Sequence, residues 1–267
     1  MCRLIAYTSS VPVNADPFLA RLAWFCEHGN LVAGWEKHEG GNHPDGWGAA
    51  WRENDEIRCV RSGKPAASDP LLPELRVQTD RFIGHVLFAS NMETVRAENS
   101  HPFLLSGIAL AHNGTFSGKI GGEGKRRRVS DTLVFLELLS ERWKEQTFER
   151  LGETIGGILS DPDLVGDYSS ANMLIATREE LFVLRRFNRH PEYYTLFVSE
   201  KDGIRVASSQ KLDNAGWSEN EGWRLLEDGE LLNLTTGESR FLPNTKTACP
   251  PHYRLSAAKT STFPPER

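Results

Sequence analysis

Apolar positions in this chain follow a two-residue period at both ends and a helical period in the middle. Residues 3–7 form a short apolar run that suits a buried strand. Asp16-Pro17 predicts a helix start, with Asp as the N-cap and Pro at the first helical position. Leu19, Leu22, Ala23 and Cys26 then follow at helical spacing. Residues 34–44, polar and rich in Gly and His, read as a loop. Residues 47–51 and 57–61 read as two strands around Asn54-Asp55, residues 82–89 as another, and residues 108–111 as a short one running into His112.

Residues 118–128 hold four glycines and five Lys or Arg and read as a mobile loop. Ser130 suits a helix N-cap, and Leu133, Phe135, Leu136, Leu138 and Leu139 give the helix an apolar face; residues 148–159 predict a second one. From Ala171 the strand period returns, at 173–177, 181–186, 194–198 and 204–208. Asp228-Gly229 between residues 223–226 and 231–234 is a hairpin signal, and Thr236-Gly237 suggests another turn. Strands, then helices, then strands predict an α+β fold of antiparallel sheets with helices on their outer faces. No boundary interrupts residues 1–243; the Pro/Thr/Lys-rich stretch 244–267 reads as a loose C-terminal tail.

Composition narrows the function classes. With 39% hydrophobic and 25% charged residues, the 267-residue chain can bury a core and is neither disordered nor fibrous. A formal net charge of -5 argues against non-specific nucleic-acid binding. No stretch approaches the roughly 18 apolar residues of a membrane helix, and the N-terminal apolar run is too short for a secretory signal. Cys2, Cys26, Cys59 and Cys249 are widely spaced, which suits a reducing, cytoplasmic compartment. Cys249 and His252 have a ligand-like interval but no second pair, so no metal or cofactor is expected.

Several residues could carry chemistry. Cys2 follows the initiator methionine and is small enough to permit its removal. The thiol and a free α-amine would then share one residue, and the amine, with a reference pKa of about 8, can serve as base for its own thiol. The same position also suits a buried strand cysteine. In His112-Asn113-Gly114, a side-chain amide and a glycine N–H can converge on one oxygen, as in an oxyanion hole; Asn-Gly is equally a common turn pair. Asp131, at a helix start, can hold an ammonium group or simply complement the helix dipole. Lys125-Arg126-Arg127-Arg128 reads as a solvated run, or as the flank of a pocket that attracts an anionic substrate or a partner enzyme.

Met-Cys at the start, Asp45-Gly46-Trp47-Gly48, Gly84-His85, Asn99-Ser100-His101-Pro102-Phe103, His112-Asn113-Gly114 and Ser130-Asp131-Thr132 occur in that order. As an ordered set the chain resembles the class II (N-terminal cysteine) glutamine amidotransferases, members of the N-terminal-nucleophile hydrolases. It is most similar to the stand-alone type, which includes the γ-glutamyl amide hydrolase of ergothioneine synthesis. The resemblance spans residues 2–234 and is densest over the first 135. It implies a four-layer αββα sandwich and glutamine or a γ-glutamyl amide as substrate. Position by position it implies Cys2 as nucleophile, Asn113 and Gly114 as oxyanion hole, and Asp131 as the carboxylate for the substrate α-ammonium. Ser90, Asn91 and His101 fall in segments lining the pocket, and Asp45 to Gly48 in a structural turn near the nucleophile.

One position departs from the pattern. The family places an Arg two residues after the His of the Gly-His strand, where it pairs with the α-carboxylate of glutamine; here that position is Leu87. Arg96 on the following loop can substitute, or the substrate is a γ-glutamyl compound whose α-carboxylate is modified or faces solvent. The implied chemistry is a γ-glutamyl thioester on Cys2 that water resolves to glutamate. The leaving amine is either released or, as ammonia, passed to a separate synthase. A non-catalytic binding protein retaining the fold is the remaining reading, with Leu87 its only support.

Overall fold

The computed structural model describes residues 2–32, 41–90, 92–213, 217–220 and 222–243. In chain order the elements are β1 (Arg3–Asn14), α1 (Asp16–His28), β2 (Trp47–Glu53), β3 (Glu56–Ser62), α2 (Leu71–Glu74), β4 (Gln78–Val86), β5 (Phe103–Leu105) and β6 (Ile108–Phe116). There follow α3 (Gly118–Arg127), α4 (Asp131–Arg142), α5 (Phe148–Ser160), β7 (Tyr168–Ala176), β8 (Leu181–Arg185), β9 (Phe197–Lys201) and β10 (Ile204–Ser208). The last three are β11 (Arg224–Leu225), β12 (Glu230–Asn233) and β13 (Ser239–Phe241). The Cys249–His252 interval, residues 34–40 of the expected loop and the expected tail 244–267 lie outside the described residues.

Two antiparallel sheets face each other. One has seven strands in the order β11-β9-β10-β1-β4-β2-β3, the other six in the order β13-β12-β8-β7-β6-β5. Strand alternation explains the layers. Leu4 and Ala6 of β1 point between the sheets, whereas Ile5 and Tyr7 point the other way and meet Phe18, Leu19, Leu22 and Phe25 of α1. On the second sheet, Ala109 and Ala111 of β6 face inward, while Ile108 and Leu110 face outward into a cluster with Phe135, Leu136 and Leu139 of α4 and Leu151, Ile155 and Ile158 of α5. In the inter-sheet layer small side chains at Ala6, Ala50, Ala109, Ala111, Ala176 and Ala207 pack with larger ones such as Leu4, Ile83, Leu174 and Val183. The architecture is the expected αββα sandwich, with helices on the outer faces.

Three local expectations are corrected. Asp16 is the first residue of α1, not its cap; Ala15 is the N-cap, and the Asp16 N–H donates to Oδ1 of Asn14 at 2.9 Å. Residues 118–127 form a helix instead of a mobile loop. Four glycines disfavour that helix, but tertiary contacts compensate. Its first amides donate to the carbonyls of Asp163 and Leu164, Ile120 is buried, and Arg126 and Arg127 pair with Glu123 and Glu137. Its last turn, carrying Lys125, Arg126 and Arg127, also complements the helix dipole.

Asp228-Gly229 does not join a hairpin. β11 pairs with β9 in the first sheet and β12 with β8 in the second, so this turn carries the chain from one sheet to the other. The hairpin partner of β12 is β13, across Thr236-Gly237. Strand bounds differ too: β1 runs on to Asn14, β4 spans Gln78–Val86 and leaves residues 87–89 outside the strand, β6 runs on through His112-Asn113-Gly114 to Phe116, β7 starts at Tyr168, and β9 starts three residues later than expected.

Candidate active site

Cys2 sits immediately before β1, a central strand of the first sheet. Arg3 pairs with Val86 across β1 and β4, so the chain leaving β4 passes over Cys2 as the segment Leu87 to Ser90. β6 supplies Asn113 and Gly114, which lie opposite Asn172 and Ala171 of β7. The Cys2 backbone N–H donates to Oδ1 of Asn113 at 2.8 Å. That contact orients the amide: Nδ2 of Asn113 is buried and has no hydrogen-bond partner. A buried unpaired donor is costly to leave idle, and here it is available to a negatively charged oxygen.

Cys2 is buried. Burial pushes its thiol pKa up, while a hydrogen bond from the Phe88 backbone N–H pulls the other way. Gly114 has φ +153, and a Cβ there would lie 1.9 Å from the Ser170 carbonyl oxygen, so only glycine fits. Asp131 opens α4 behind the N-cap Ser130, whose hydroxyl accepts from the Thr132 N–H. Its Oδ2 accepts from the Phe116 N–H at 2.7 Å and its Oδ1 from the Thr132 N–H at 2.8 Å, which fixes the carboxylate beside the end of β6.

These residues border one cavity of about 790 Å³. Cys2, Gly114 and Asp131 line it, together with Leu87, Ser90, Arg96 and His101 from the sequence-derived set. Asn113 lies just behind the lining, fully buried. Asn91 is outside the described residues. The His101 ring is fixed at both nitrogens, with Nδ1 3.0 Å from the His112 carbonyl oxygen and Nε2 3.3 Å from the Ser130 hydroxyl. His112 is held in turn by the Thr132 hydroxyl at 2.9 Å and the Ser170 carbonyl at 3.0 Å. Burial lowers the pKa of His85, His101 and His112, and neighbouring histidines lower the first two further.

The turn at Asp45 holds the cavity wall. Its Oδ2 accepts from the Ala89 N–H at 2.7 Å, and the backbone of residues 45–46 bonds to both polar groups of Leu87. Opposite this wall, Arg96 donates to the carbonyl of Arg128, the left-handed C-cap of α3, and so ties the loop after β4 to the far rim.

Several contributors carry no residue-type signature. The N–H of Phe88 is a backbone group. Arg3, fully buried, stacks on the Tyr193 ring with its guanidinium carbon 4.1 Å from the centroid, and donates to the carbonyls of Tyr193 and Asn30. The Tyr193 hydroxyl reaches the Cys2 carbonyl at 3.5 Å. Arg3 and Tyr193 are 190 residues apart, so only the fold joins them.

No helix among the described residues is long and apolar enough to cross a membrane. An uncharacterized protein of Methanocaldococcus jannaschii is 26% identical over 236 residues, covering 76% of this chain and 64% of its own length. In fold the chain is similar to the glutamine phosphoribosylpyrophosphate amidotransferase of B. subtilis, with a TM-score of 0.60 at 18% identity, over 90% of this chain and 49% of that one. The chain thus spans about half to two thirds of these relatives. A glutamine aminotransferase class-II domain protein of Silicibacter pomeroyi matches with a TM-score of 0.57 at 18% identity, over 90% of this chain and 99% of its own. The sequence signature of the class-II glutamine amidotransferases matches residues 1–190. That stretch contains every described residue that lines the cavity, and the chain belongs to the class II glutamine amidotransferases.

Proposed function

We propose that this protein cleaves the γ-carboxamide of glutamine or of a γ-glutamyl amide through a thioester on Cys2. The observation that carries the reading is the contact between the Cys2 nitrogen and Asn113 Oδ1, with Nδ2 of the same amide buried and without a partner. With Met1 removed, that nitrogen becomes a primary amine. Asn113 accepts one of its N–H bonds, which leaves the nitrogen lone pair for the thiol proton. The thiolate attacks the amide carbon, and the carbonyl oxygen, now anionic, receives hydrogen bonds from Nδ2 of Asn113 and the N–H of Gly114. The α-ammonium returns the proton to the leaving amine. Water, deprotonated by the same amine, then resolves the thioester to glutamate.

Substrate orientation follows from charge. Asp131 receives the α-ammonium. Leu87 lines the cavity but cannot meet the α-carboxylate; Arg96, held against the Arg128 carbonyl on the same cavity, takes that role. The test is intact-protein mass before and after exposure to 6-diazo-5-oxo-L-norleucine, a glutamine-like electrophile. The expected result is loss of one methionine and a single adduct that maps to Cys2 and is absent from Cys2→Ala. Protein from its native source that retains Met1 would sink the self-activated mechanism.

A further inference from the structure

Helix α3 sorts the basic run by direction. Arg126 and Arg127 turn away from the cavity, and each is met by a carboxylate in a paired contact, Glu123 for the first and Glu137 for the second. Lys125 and Arg128, on the face that also carries Gly121 and Gly124, line the cavity. Among the described residues neither has a carboxylate within ion-pair distance. The helix therefore neutralises the outward cations and leaves the inward pair unneutralised.

The charge of the cavity points the same way. Arg96, Lys125 and Arg128 line it against Glu93 and Asp131, an excess of one positive charge among the described residues. A glutamyl head brings one ammonium and one carboxylate, and so leaves that excess untouched. The volume of about 790 Å³ is also that of a site for a larger ligand than one amino acid. We propose that the substrate is a γ-glutamyl amide whose leaving amine carries an anionic group, docked on Lys125 and Arg128. The proposal rests on the Cys2 cleavage reading for its chemistry and on α3 for its specificity. The amide C–N bond breaks as the C–S bond forms, the leaving amine departs with the thiol proton, and water supplies the atoms that release glutamate.

The test compares γ-glutamylglycine with γ-glutamylglycinamide, which differ by one negative charge on the leaving side. At low ionic strength kcat/KM for the acid should exceed that for the amide by about tenfold or more, as a charge-assisted contact implies. The preference should shrink with added salt. Lys125→Gln combined with Arg128→Asn, chosen because Asn tolerates the left-handed backbone at residue 128, should bring the ratio to within about threefold. Calorimetric titration of both compounds into Cys2→Ala separates binding from cleavage. Tighter binding of the acid without turnover by the wild type upholds the anion site and overturns the cleavage reading. Turnover of both compounds at equal kcat/KM, with equal affinity for Cys2→Ala, overturns the anion site and leaves the cleavage reading standing. Failure of γ-glutamylglycine to bind Cys2→Ala at millimolar concentration overturns the proposal.

Discussion

Cys2 and Asn113 lie 111 residues apart on facing sheets, yet the nitrogen of one and the side-chain oxygen of the other meet at 2.8 Å. One amide thereby has two tasks. Its oxygen accepts from the Cys2 N–H, and its nitrogen, buried without a partner, is the donor that the proposed mechanism offers to the oxyanion.

Asn113→Ala removes both contacts. The expected loss in kcat is about 100- to 1,000-fold, the usual effect of removing an oxyanion donor. Steady-state kinetics with glutamine or a γ-glutamyl amide checks it; a rise in KM alone would assign Asn113 to ground-state binding.

Gly114→Ala places a methyl group against the Ser170 carbonyl at a backbone angle that suits only glycine. We expect a loss of about 3–5 kcal/mol in unfolding free energy, in the range of severe backbone and packing defects. Urea denaturation measures it, and a loss under 1 kcal/mol would mean that β6 and β7 can separate here at little cost.

Asp45→Ala removes the acceptor for the Ala89 N–H. Leaving that buried donor unpaired costs about 1–3 kcal/mol, and the segment Leu87 to Ser90 loses its support. KM should therefore rise while the thiol still takes up the electrophile. An unaltered KM would show that the wall stands without the turn.

Arg96→Gln should raise KM for free glutamine by about tenfold or more, the value of a charge-assisted contact, with a smaller change in kcat. Leu87→Arg in that background returns a guanidinium to the same cavity and should recover most of the loss. No recovery would place the α-carboxylate elsewhere than between these two positions.

The buried histidines set a pH dependence of stability. Burial first, and neighbouring histidines second, hold the pKa values of His85 and His101 well below 6.5, and burial lowers that of His112. The unfolded chain takes up these protons near pH 6.5 and the folded chain does not. Stability is thus complete above that value and declines as the pH falls from 6.5 toward the lowered folded values. Each histidine contributes up to about 1.4 kcal/mol per pH unit within that window. Denaturation midpoints at pH 7, 6 and 5 check it, and a flat profile would show that the rings charge in place.

Much of the candidate site was legible in the chain itself because its parts are local. Cys2 is marked by its place after Met1, Asn113-Gly114 by the strand that runs into it, and Asp131 by the capping serine before it. The layered α+β fold was legible too, since the strand and helical periods report which faces are buried. Other features depend on partners far along the sequence. Residues 118–127 are poor helix formers taken alone; the carbonyls of Asp163 and Leu164, the pocket for Ile120 and the carboxylate of Glu137 make them a helix. The Asp228-Gly229 turn joins two sheets because β9 and β8, not its own flanking strands, accept the chain on either side. The direction of Lys125 and Arg128 follows from that same helix. Local sequence determined which groups could react, and long-range burial and pairing determined which of them share one cavity.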